Sequence, residues 1–139
     1  IVLAAAGLKR LGLAERIRHI FEVTEMLPAA GQGALGIEIR VARDDVRNML
    51  APLAHHTTWL AVAAERAVSR AMGGSCSMPL AAHAVLHGDV LDLHAAWGNP
   101  ESINAPLVRA HSQGEVATLD DAEALGLSAA RQLRAQGAG

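Results

Sequence analysis

The chain of 139 residues has no tyrosine, one phenylalanine and two tryptophans, so aromatics are 2% of it. That scarcity removes the stacking platforms that hold single-stranded nucleic acid. It also leaves packing to Ala, Leu and Val, because 51% of the residues are apolar. A formal net charge of −2 gives no field that would gather a polyanion. The one cysteine, Cys76, excludes an intrachain disulfide and suits a reducing cytoplasm, the expected location. With no resolving cysteine, a thiol-redox role is disfavoured. No apolar run approaches the roughly 20 residues of a membrane span. The longest, residues 1–8, is broken by Gly7 and lacks the charged leader of a signal peptide. Neither nucleic acid nor membrane is expected as a partner, and no internal repeat or low-complexity tract is present.

Short helices are expected over 4–11 and 14–21, then extended chain over 22–27 ending at Pro28. Residues 29–33 form a small-residue loop. Residues 34–40 alternate as a strand, with Leu35, Ile37 and Ile39 on one face. Asp44-Asp45 caps a helix running to about Leu50, since acidic residues suit a helix N-terminus. Thr57 or Thr58 caps the next helix, which runs to Met72, with His55-His56 at the joint. Beyond it the period changes from helical to alternating. Strands are expected over 79–86, 90–97 and 106–112, joined by the turns His87-Gly88-Asp89 and Gly98-Asn99-Pro100-Glu101. Asp120-Asp121 caps a last helix over 122–136, which Gly137 ends. The fold class is α+β: a C-terminal three-stranded antiparallel sheet packed with helices.

The stretch with chemical promise lies between helix and sheet. Gly73-Gly74 supplies the positive φ that stops a helix, and Cys76 follows two residues later on a polar loop before Pro79. A lone thiol on such a loop is held by scaffold and reachable from outside, a reasonable way to present a nucleophile. From local chemistry alone the better reading of the same thiol is a small buried hydrophobe, the commonest fate of a free cysteine.

Glu65-Arg66, then Gly74-Ser75-Cys76, then Pro79-Leu80-Ala81 resembles the cofactor-attachment signature of the porphobilinogen deaminase (hydroxymethylbilane synthase) family. One departure is Met78, where a β-branched residue is usual. Two further stretches follow in the family's order: Ala5-Ala6-Gly7-Leu8-Lys9-Arg10-Leu11-Gly12-Leu13, and Leu27-Pro28-Ala29-Ala30-Gly31-Gln32-Gly33-Ala34-Leu35-Gly36-Ile37-Glu38. The likeness runs from about residue 3 to 136. It implies a transferase of tetrapyrrole (heme) biosynthesis that condenses four porphobilinogen molecules into hydroxymethylbilane, releasing ammonia. The growing polypyrrole would start from a dipyrromethane primer. It also implies that residues 1–27 are the tail of a second domain of α/β, periplasmic-binding-protein-like type. Residues 28–54 would be a return segment to the first domain and hinge, and 55–139 a third, cofactor-attachment domain.

In that family the primer is a covalent thioether, which the resemblance places on Cys76. Gln32, on the Gly31-Gln32-Gly33 loop, would bind the cofactor, and Arg10 the carboxylates of the substrate. Taken from residue type alone, Arg10 is a solvated helix-end cation and the loop an ordinary tight turn. Pyrrole rings bearing acetate and propionate need charge-assisted partners, which arginine supplies. The family's catalytic aspartate lies in an N-terminal portion that this chain lacks. The expectation is that the chain by itself holds the anchor without turning over substrate. The competing reading is a non-catalytic binding or interaction module on the same scaffold. Among the seven histidines, His83, His87 and His94 are the strand group that invites a metal, yet surface histidines are the better account, and no metal is expected.

Overall fold

The computed structural model describes residues 1–75, 78–102 and 104–139. The elements are α1 (Ala5–Arg10), α2 (Asp44–Leu50), α3 (His56–Ala71), β1 (Leu80–His87), β2 (Val90–Trp97), β3 (Val108–Glu115) and α4 (Leu119–Ala135), with 3-10 turns at Ala14–Arg16 and Ala51–Leu53. From α3 onward they form one α+β unit. The antiparallel sheet has order β1-β2-β3, and α3 and α4 pack against each other and against the sheet.

Alternation decides the sheet's two faces. Ala82, Ala84, Leu91, Leu93, Ala95, Trp97, Ala110 and Ser112 point into the core. The register sets His83 opposite His94 and His94 opposite His111, so these lie in one row on the other face. Buried Ser112 accepts a 2.9 Å hydrogen bond from Gln132 Nε2 of α4, so its hydroxyl is satisfied.

The two helices meet through small residues. The buried stripe of α3 is Leu60, Ala64, Ala67 and Val68, and that of α4 is Ala122, Gly126, Ala129, Ala130 and Leu133, both at helical spacing. At Gly126 the approach is closest. A Cβ built there would stand 2.3 Å from the Ala64 carbonyl oxygen and 2.7 Å from Ala67 Cβ. A core with few aromatics is thus closed by bringing helix backbones together.

Several boundaries differ from the sequence expectation, among them that of α2, whose N-cap position is Arg43, with Asp44 and Asp45 inside the helix. Helix α4 starts earlier, at Leu119, because Thr118 and not Asp120-Asp121 is its cap. Thr118 Oγ1 accepts from the Asp121 amide while the Asp121 carboxylate accepts from the Thr118 amide, a capping box. Helix α3 has His55 at its N-cap position, with Nδ1 hydrogen-bonded to the hydroxyls of Thr57 and Thr58, so neither threonine is the cap. Strand β3 begins two residues late and runs on to Glu115, because β2 offers partners as far as Val90.

The first 54 residues depart further. None is buried. Only Ala14–Arg16 of the second expected helix forms, and the chain near Glu22 turns instead of extending, with the Glu25 amide donating to the Glu22 carbonyl. The strand expected over 34–40 is absent: Leu35 is 97% exposed and Ile37 62% exposed. A strand's hydrogen bonds come from a neighbouring strand, and none of the described residues supplies one here.

Gly126→Ala is expected to destabilise the unit by roughly 1–3 kcal/mol, since backbone must move to admit the methyl; urea unfolding measures it. Thr118→Ala should cost about 1 kcal/mol. The Thr118 hydroxyl and amide hold the Asp121 carboxyl below its usual range. Its contribution is therefore full above the unfolded-state value and lost as pH falls through the lower folded-state value. The stability gap between wild type and Asp121→Asn should close on acidification over that window.

Candidate functional site

The site grows from one side chain of α3. Glu65 is 5% exposed, and its two carboxylate oxygens face opposite ways. Oε1 accepts from the Ala84 amide at 2.8 Å, on the open edge of β1. Oε2 accepts from the Gly31 amide at 2.6 Å. Two residues earlier on the same edge, the Ala82 amide donates to the Pro28 carbonyl at 3.1 Å. The edge amides that would otherwise recruit a foreign strand are thus spent, Ala82 on Pro28 and Ala84 on Glu65. Ala30 packs on the core and Val62 flanks Gly31. His83 Nδ1 lies 3.6 Å from Glu65 Oε1, giving the carboxylate a third polar neighbour.

The clasp holds the Gly31-Gln32-Gly33 turn on the surface of the C-terminal unit. Gly31 has φ +73° and Gly33 φ +85°, the left-handed region that glycine tolerates. Gln32 between them is exposed. Beneath this segment is an open depression of about 530 Å³, lined by Leu27 and Ala29 on one side, Met78 and Pro79 on another, and Arg109 on the sheet. The helix-stop glycines behave as the sequence implies: Gly73 has φ +104° and Gly74 φ +54°, and the Gly74 amide returns to the Ser69 carbonyl at 2.8 Å.

The predicted site residues are only partly gathered. Cys76 lies outside the described residues, although Met78, two residues on, lines the depression. Gln32 is carried to the same unit by the clasp. Arg10 is exposed near the C-terminus of α1, which among the regular elements touches only the turn at Ala14–Arg16. It is not brought to the other two.

Two family models match the chain. Residues 59–135 match the one described as "Porphobilinogen deaminase, C-terminal domain". Residues 1–48 match "Porphobilinogen deaminase, dipyromethane cofactor binding domain". The chain belongs to the porphobilinogen deaminase family. A porphobilinogen deaminase of Albidiferax ferrireducens is 67% identical over 135 residues, 97% of this chain and 42% of that protein. Those of Burkholderia thailandensis and Burkholderia mallei are 57% and 56% identical over 138 residues, 99% of this chain and 41% of each relative. The chain thus spans about two fifths of the length of these relatives.

The family's cofactor is dipyrromethane, and one cation stands among the described residues of the depression. A carboxylate-bearing pyrrole pair needs a cation and hydrogen-bond donors beside apolar ring contacts. Here Arg109 lines a depression together with Glu25 and apolar residues that include Leu27, Met78, Pro79 and Leu107. Sequence reading passes over Arg109, because only strand pairing shows that it stands beside Ala96 on the face where residues 25–29 run. It also leaves Glu65 as a scaffolding residue without showing what it holds.

The strand histidines are grouped differently from the sequence reading. His87 sits opposite Val90 at the hairpin end, two rows from His94. The side chains that converge are Asp92, His94 and His111. His111 enters only once β2 and β3 are paired.

Glu65→Leu keeps the bulk of the side chain but strands two amides, each worth roughly 1–3 kcal/mol when buried and unmet. Hydrogen exchange at Gly31 and Ala84 should accelerate well before that of the central strand. Equal protection in mutant and wild type would remove the clasp from the account.

Proposed function

We propose that this chain is the cofactor-anchoring part of a cytoplasmic porphobilinogen deaminase. In the complete protein, four porphobilinogen molecules would be condensed into hydroxymethylbilane with release of ammonia, on a primer joined to Cys76 through a thioether. The observation that carries the reading is the family match over 59–135, a span that includes the Gly74-Ser75-Cys76 loop. When bound, dipyrromethane supplies the pyrrole α-carbon from which the chain is extended. Cys76 fixes that primer, so each addition is effectively intramolecular.

The other residues of the chain bind and orient. Gln32 offers its side-chain amide to a carboxylate of the cofactor, from a turn that Glu65 holds still. Arg10 binds the acetate or propionate of incoming substrate once α1 is seated against the rest of the protein. Uncovered Leu35 and Ile37 support the view that residues 1–54 pack on a further portion of the complete protein. On this reading the catalytic aspartate belongs to that portion, and the present chain alone binds without turnover.

Mass spectrometry of the complete protein should find two pyrrole units added at Cys76. Cys76→Ser should abolish holoenzyme formation; a mutant that still accumulates covalent polypyrrole would overturn the assignment and favour a non-catalytic module. Arg10→Gln should raise KM for porphobilinogen about tenfold or more, the scale of one lost charge-assisted hydrogen bond.

A further inference from the structure

The sheet face turned away from the helices carries a group that the deaminase reading does not use. His94 and His111 are direct cross-strand partners on β2 and β3. Their rings stack with centroids 4.4 Å apart and planes 12° from parallel. Both present Nε2 to one oxygen: Asp92 Oδ1 is 2.6 Å from His111 Nε2 and 3.4 Å from His94 Nε2. Among the described residues this is the one set of three such side chains whose ligand atoms all lie within 4.8 Å of one another.

We infer that Asp92, His94 and His111 form a binding site for a divalent transition ion of the zinc class. Zinc takes imidazole nitrogen and carboxylate oxygen at about 2.0–2.2 Å, so tetrahedral ligands stand about 3.3 Å apart. The His94–Asp92 separation already meets that spacing. The His111–Asp92 pair must open by less than about 1 Å, with the ion replacing the proton between Nε2 and Oδ1. Two nitrogens and one oxygen suit zinc, copper or nickel better than magnesium or calcium, which prefer all-oxygen shells. Both histidines stand inside paired strands, so their backbones are fixed, and the stacked rings need only rotate about their side-chain torsions to aim both in-plane Nε2 lone pairs at one ion. Exposure of the rings leaves the fourth position to water or to a small anion. An ion held there ties β2 to β3 on the side the helices do not cover.

The test is equilibrium dialysis of the 139-residue chain against Zn²⁺ alone at neutral pH, with every variant built on Cys76→Ser so that the thiol takes no part. One ion per chain is expected. His94→Asn, His111→Asn and Asp92→Asn should each weaken binding by at least about tenfold, the loss that even an outer partner of a metal ligand produces. His55→Asn/His56→Asn should leave it unchanged. Imidazole NMR signals of His94 and His111 should shift on titration, and zinc should raise the Tm of the parent but not of the doubly substituted His94→Asn/His111→Asn chain. Circular dichroism checks that each variant is folded. No saturable uptake at micromolar zinc, or uptake that survives loss of both histidines in a folded chain, would overturn the site.

Discussion

One carboxylate divided between two backbone amides holds the arrangement together. Glu65 rises from the buried side of α3 and accepts from the edge of β1 with one oxygen and from the Gly31 turn with the other. A buried charge is costly to leave unpaired, so the amides that satisfy it are held as firmly as they hold it. Helix, strand edge and N-terminal segment are thereby fastened at one point. The depression between residues 25–29 and Met78-Pro79 exists because of that fastening.

Scarcity of aromatic residues shapes the remainder of the core. Alanines on α3 and α4 let the helices approach until Gly126 meets the Ala64 carbonyl, and the sheet's inner face is likewise mostly alanine and leucine. Such a core gains stability from close contact more than from large buried side chains. It tolerates added volume poorly at the helix crossing.

The two faces of the sheet divide the labour. Its inner face is structural throughout, while the outer face bears Arg109 beside the depression and, one row away, the His83–His94–His111 line. The depression and the proposed metal site therefore lie on neighbouring rows of one surface without sharing a side chain.

Much of the C-terminal unit could be read from the chain itself. β2 spans the alternating run from Val90 to Trp97, and the Gly73-Gly74 stop and the Gly88 turn lie where local backbone preference puts them, because periodicity and positive-φ glycines act within a few residues. The signature around Cys76 was likewise legible, as a linear pattern of residue types. The end of β3 and the start of α4 were not. The first depends on how far the neighbouring strand reaches, and the second on a threonine–aspartate exchange that two adjacent acidic residues disguised. The strand expected over 34–40 failed for want of a partner strand, which no local pattern can supply. Glu65's grip on Gly31, the place of Arg109, and the meeting of Asp92 with His94 and His111 join residues 34, 13 and 19 positions apart or set them on a shared face. Residue types and their spacing determined the helices and strands of the C-terminal unit and the family signature; only tertiary pairing decided which side chains come together, because register and edge contacts form between segments and leave no mark within either one.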